Sequence, residues 1–86
     1  MNIKVEKKSR VVLYHRPGCH LCEEAESVIR NALLSIEFEF EMVDIEGDLE
    51  LLDLHRYDIP VVEINGEIAF RHRIELKQLI RILGSV

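Results

Sequence analysis

Two cysteines three positions apart, Cys19 and Cys22, stand directly behind an apolar, β-branched run and at the head of a stretch with helical periodicity. That placement narrows the fold more than any other feature of the chain, because it demands a strand, a tight turn and a helix in immediate succession. The run Val11-Val12-Leu13-Tyr14 is apolar without alternation, as in a central strand buried on both faces, and predicts a first strand over residues 10–15. Pro17-Gly18 is a turn signal. Beyond it Leu21, Ala25, Val28, Ile29, Ala32 and Leu33 fall on one stripe, which predicts a first helix over about residues 19–34. Glu26 precedes Arg30 by four residues on the opposite face, an exposed pair that needs no catalytic role.

The rest of the chain reads as a continuation of the same α/β pattern. Residues 37–45 alternate, with Phe38, Phe40 and Met42 facing one way and Glu37, Glu39 and Glu41 the other, as in a half-buried second strand. Gly47-Asp48 marks a turn and helix start, and the leucines from Leu49 and Leu52 onward give a short second helix ending near Tyr57. These leucine and aromatic stripes are expected in the core, with Tyr14 and Tyr57 as core or rim residues. Asn65-Gly66 separates two β-forming runs, residues 61–64 and 67–70, and its tolerance of positive φ suits a two-residue hairpin. Leu76, Leu79, Ile80 and Leu83 give a final helix with Gly84 as its stop. The order is β-α-β-α-β-β-α. Parallel strands joined by a helix take a right-handed crossover, which sets Cys19 at the carboxyl edge of the first strand.

At 86 residues the chain is expected to form a single domain, residues 1–86. A content of 48% hydrophobic and 31% charged residues fits a soluble globular protein. The formal net charge of -5 opposes a polyanion, so no nucleic-acid partner is expected. Arg71, His72 and Arg73 are the one local basic run and read as a solvated strand end. No apolar run approaches the roughly 20 residues that span a bilayer, and the N-terminal stretch lacks the pattern of a secretory signal. A cytoplasmic monomer with no membrane association is therefore expected.

Cysteines three apart on a first helical turn lie within the Cα separation of about 4.4 to 6.8 Å that a disulfide permits. As a staple the bond would be weak, about 2 kcal/mol for a four-residue loop against about 4.7 for a hundred-residue one. The pair suits switching better than stapling. Unsatisfied backbone N–H groups and the helix dipole favour a thiolate at the outer position, which makes Cys19 the nucleophile and Cys22 the resolving thiol. Arg16 adds positive charge upstream, Glu23, Glu24 and Glu26 oppose it, and His20 could tune the thiolate or shuttle a proton.

The stretch Val-Val-Leu-Tyr-His-Arg-Pro-Gly-Cys-His-Leu-Cys resembles the strand, loop and active-site helix of a glutaredoxin. The likeness extends through Tyr57-Asp58-Ile59-Pro60-Val61-Val62-Glu63-Ile64-Asn65-Gly66 and so covers nearly the whole chain; more narrowly the chain looks like the small glutaredoxin-like proteins. The resemblance implies a thioredoxin-like (glutaredoxin-like) fold, a four-stranded mixed sheet with helices on both faces. It further implies that Pro60 is a cis-proline facing the cysteines and that the Ile59 backbone pairs with a bound peptide or thiol. From residues alone an X-Pro bond reads as trans. Arg16 matches the basic residue that glutaredoxins place near the nucleophile and the glutathione carboxylate. Two departures stand out: His20-Leu21 replaces Pro-Tyr between the cysteines, and Arg71-His72-Arg73-Ile74-Glu75 replaces the Gly-Gly-x-Asp pattern before the last helix. The second removes glycine's close backbone approach to the glutamyl end of glutathione.

Three functions are compatible with these residues. The leading one is a thiol–disulfide oxidoreductase with Cys19, Cys22, Arg16, Ile59 and Pro60 at its site and His20 in a tuning role. It needs no metal and no resident cofactor. Its partners are a disulfide-bearing protein or small thiol substrate and an external reductant, either glutathione or a thioredoxin reductase-type donor. The alternatives are a metal or iron–sulfur carrier, for which His15, Cys19, His20 and Cys22 form a soft ligand set, and a non-catalytic thioredoxin-fold adaptor.

Overall fold

The computed structural model describes residues 8–85. Its elements are β1 (Arg10–His15), α1 (His20–Ala32), β2 (Glu39–Asp44), a 3-10 turn (Ile45–Gly47), α2 (Leu49–His55), β3 (Val61–Ile64), β4 (Glu67–Arg71) and α3 (Leu76–Ser85). One mixed sheet orders the strands β2-β1-β3-β4. The β1–β2 pair is parallel, with α1 as its crossover, and the other two pairs are antiparallel. In the β3–β4 hairpin Asn65 and Gly66 both take positive φ, 54° and 87°, the geometry their sequence announces.

The core lies on one face of the sheet. Val11 and Leu13 of β1 and Val62 of β3 point toward Ala25 and Ile29 of α1 and Leu79 and Leu83 of α3, all of them buried. The other face is more open. Val12 and Tyr14 are only partly buried, a correction to the reading of β1 as covered on both sides. The reason is that α2 covers only the end of that face, where the Tyr14 ring lies against the buried His55 ring at 4.7 Å between centroids. Further along, Val12 is flanked in register by Glu41 and Glu63, and Arg10 forms an ion pair with Glu41.

Several boundaries differ from the expected ones. α1 ends at Ala32, because the amides of Leu34 and Ser35 turn back to Asn31 and Ala32 and so deliver Phe38 into the core. Leu34 is left 85% exposed. β2 starts at Glu39 and stops at Asp44, whose carboxylate caps the following 3-10 turn by accepting the Glu46 amide at 2.9 Å. α2 starts where Asp48 caps it, its Oδ1 accepting from Glu50 at 2.9 Å and Leu51 at 3.3 Å. With only one end of α2 against the sheet, Leu49, Leu54 and Tyr57 face outward at 81%, 66% and 84% exposure and are not core, while Leu51 and Leu52 are half-buried. α3 runs one residue past Gly84, where the Ser85 hydroxyl donates to the Arg81 carbonyl. Among the described residues no helix is long and apolar enough to cross a membrane.

Candidate active site

β1 ends at His15, and the turn through Pro17 and Gly18 reverses the chain, with Gly18 at φ 78° and the Cys19 amide donating to the Arg16 carbonyl at 3.3 Å. Positive φ at that position favours glycine and leaves the next residue free to cap a helix. Cys19 is therefore the N-cap of α1 rather than its first helical residue. Its Sγ accepts the Cys22 amide at 3.1 Å, and its carbonyl accepts the Glu23 amide at 3.1 Å. Sulfur thus sits where orphan helix amides point, in the field of the helix dipole.

Cys19 and Cys22 are joined by a disulfide with their Cα atoms 5.1 Å apart. Cys22 is 3% exposed, while Cys19 is partly open to solvent. Cys19 is thus the more accessible of the two, and Cys22 lies in the interior. A small cavity of about 140 Å³ brings Cys19 and Cys22 together with His15, Arg16, Glu23 and Glu26.

Arg16 does not point freely at the sulfur. Its Nε and Nη2 both donate to Glu46 Oε2, at 3.0 and 2.6 Å. No local sequence pattern announces Glu46; the 3-10 turn after β2 brings it beside the β1–α1 turn. His20 is exposed, with its ring nitrogens 3.9 Å from Glu23 and 3.4 Å from Glu24.

The Ile59–Pro60 bond is cis. The Ile59 amide donates to the His55 carbonyl at 3.1 Å, and the Pro60 carbonyl accepts the His72 amide at 2.8 Å. Two backbone bonds therefore fix this segment between α2 and the end of β4. Neither residue lines the cavity at Cys19. Arg71 lies 4.0 Å from Asp58, and His72 holds a positive φ of 70°. A second groove of about 250 Å³ runs between α1 and the segment after β4, with Leu21, Val28 and Ile74 in its floor and Glu24, Arg73 and Glu75 on its rim. The soft ligand set of His15, Cys19, His20 and Cys22 is not assembled: among the described residues no group of three or more His, Cys, Asp or Glu is placed to hold a metal ion.

A further cluster escaped sequence reasoning. The Tyr14 hydroxyl donates to Glu63 Oε1 at 3.1 Å on the open face of the sheet. Burial, and after it the bond to Glu63, pushes the Tyr14 phenol above its ordinary range. His55 could have been found from the helical spacing of Leu51, Leu52 and His55, which sets it on the packed stripe of α2.

The geometry has relatives. Residues 10–84 match the model of a family described as Glutaredoxin-like domain (DUF836). The chain is 33% identical over 86 residues to the glutaredoxin-like protein YDR286C homolog of Dictyostelium discoideum, covering 93% of this chain and 80% of that protein. Among solved structures it is similar to protein Ne2328 of Nitrosomonas europaea, with a TM-score of 0.77, 28% identity and coverage of 95% of this chain and 98% of that one. The fold is also that of a thioredoxin from Halobacterium salinarum, with a TM-score of 0.70 at 13% identity, over 92% of this chain and 74% of that one.

Proposed function

Since the chain belongs to the glutaredoxin-like domain family (DUF836), we propose that it is a thiol–disulfide oxidoreductase in which Cys19 is the nucleophile and Cys22 the resolving thiol. The observation that carries the reading is the placement of the pair. Cys19 caps α1 with its Sγ at an orphan helix amide and is partly open to solvent, while Cys22 is buried at disulfide distance behind it.

In the reduced protein the Cys19 thiolate, stabilised by the helix N-terminus, attacks one sulfur of a substrate disulfide. A Cys19–substrate bond forms, the substrate S–S bond breaks, and the other half leaves as a thiolate that takes up a proton. Cys22 gives up its proton and attacks Cys19 Sγ, forming the intramolecular disulfide and releasing the second half as a thiol. Two electrons pass from protein to substrate. An external thiol or dithiol, glutathione or a thioredoxin reductase-type donor, returns them, and no resident cofactor takes part.

The test uses two variants. Cys19→Ser should abolish dithiol turnover, whereas Cys22→Ser should accumulate a covalent mixed disulfide, visible as an added mass that reductant removes. Normal turnover in Cys19→Ser ends the proposal.

A further inference from the structure

The surroundings of Cys19 carry an unbalanced charge. Arg16 is bound through two nitrogens to Glu46, and Arg30 donates to Glu26 at 2.8 Å, so each guanidinium near the cavity faces a carboxylate of its own. Among the described residues Glu23 and Glu24 have the His20 ring as their ion-pair contact, Glu24 also borders the groove that Arg73 lines, and Asp44 lies in register with His15 at the end of β2. The groove on the other side of α1 sets Arg73 and His72 against Glu24 and Glu75 and does not reverse the sign.

The Arg16–Glu46 pair is solvent-exposed, with the two side chains 40% and 43% accessible, and is held by two bonds. Glu46 is presented by a 3-10 turn in which its own amide donates to the Asp44 carboxylate, and both guanidinium bonds converge on the single oxygen Oε2. An arginine held that way has its charge largely cancelled at the distance of a substrate in the cavity, since an opposite charge at contact leaves only a dipole.

Resting on the oxidoreductase reading above, we infer that Glu46 silences Arg16 and thereby sets the substrate class: the site exchanges with disulfides flanked by cationic groups in preference to anionic ones. The fitting partner is a polypeptide or small disulfide with a basic group beside its reacting sulfur. Glu46 acts through Arg16 and is a specificity-determining residue, not a catalytic one.

Three small disulfides that differ only in their end groups test the assignment: bis(2-aminoethyl), bis(2-hydroxyethyl) and bis(2-carboxyethyl) disulfide. The rate at which each oxidises the reduced protein is divided by its rate with 1-thioglycerol, a neutral thiol distinct from all three halves, which removes differences in leaving group. Measurements run at about 20 mM and about 500 mM salt, because screening should erase a charge preference.

The expected order at low salt is cationic, then neutral, then anionic, with the spread collapsing at high salt. Glu46→Gln frees Arg16 and should raise the anionic rate relative to the cationic one by about three- to tenfold. On an Arg16→Gln background the same change should gain less than about threefold. Glu67→Gln removes one negative charge at the far end of the sheet and should leave the ratio within about 1.5-fold. A Glu46→Gln ratio no different from that of Glu67→Gln, or a wild-type preference for the anionic disulfide, overturns the assignment while leaving the redox reading intact. Reaction with all three disulfides no faster than that of 1-thioglycerol overturns both.

Discussion

Tyr14 occupies the point where β1 approaches the redox turn, with its ring against His55 and its hydroxyl donating to Glu63 at 3.1 Å. Burial first, and the bond to Glu63 second, raise its pKa. The raised value means that the native state holds the phenolic proton more tightly than the unfolded chain, whose tyrosines ionise near pH 10. The stabilisation is therefore complete below about pH 10 and is lost as pH rises through the higher native value. Tyr14→Phe should cost about 0.5 to 1.5 kcal/mol at neutral pH and should flatten the fall in stability above about pH 10. Alkaline titration at 295 nm gives the check. Of the two tyrosines in the chain, the component titrating above the ordinary range should vanish in Tyr14→Phe; its survival would assign the shift to Tyr57. At this scale the sequence announces residue types but not their partners. Cys19 and Cys22 are legible because both members of the pair lie within one helical turn. Glu63 and Glu46 lie 49 and 30 residues from the groups they hold, and sheet register and the turn after β2 bring them there.

α2 is the element whose stability has the most local consequence for the site. Seven residues are too few to hold a helix in water unaided, so α2 depends on its cap and on the His55–Tyr14 contact. Asp48 supplies the cap through two accepted amides. Asp48→Ala should lower stability by about 0.5 to 2 kcal/mol, and Asp48→Asn, which keeps an acceptor, by much less. The effect should reach past the helix end, because the His55 carbonyl accepts the amides of both Asp58 and Ile59, at 2.9 and 3.1 Å. Native-state hydrogen exchange at Asp58 and Ile59 should therefore accelerate in Asp48→Ala under conditions where the core of β1 and β3 stays protected. Unchanged exchange at those two amides would show that the Ile59–Pro60 segment is held independently of α2. The start of α2 at Asp48 and the order of all seven regular elements could be read from turn residues and periodicity. The outward face of Leu49, Leu54 and Tyr57 could not, because hydrophobicity says that a helix packs somewhere and not how much of it reaches the sheet.

Over the whole molecule two contributions to stability compete, the disulfide and the core, and their sizes decide which holds the scaffold. The Cys19–Cys22 bond closes a loop of about four residues, which in the chain-entropy relation contributes about 2 kcal/mol at most. Ile29 of α1, fully buried, belongs to the core cluster of the described residues, together with Leu79 and Leu83 of α3 and Val11, Leu13 and Val62 of the sheet. Truncation of such a residue to alanine costs about 2 to 5 kcal/mol, a large share of the 5 to 15 kcal/mol that keeps a domain folded. The core should therefore dominate, so that the protein passes between oxidised and reduced states without unfolding, as an exchanger must. Urea unfolding followed by far-UV circular dichroism should show one cooperative transition in both redox states, with reduction lowering the unfolding free energy by no more than about 2 kcal/mol. Ile29→Ala should lower it by more than reduction does, and Leu34→Ala, at an exposed position after α1, should change it by less than about 0.5 kcal/mol. Loss of the cooperative transition on reduction alone would reverse the ranking and make the disulfide a structural staple. The pair would then be unable to open and close during turnover, and the redox function would fail for a reason lying in the balance of the whole fold rather than at Cys19.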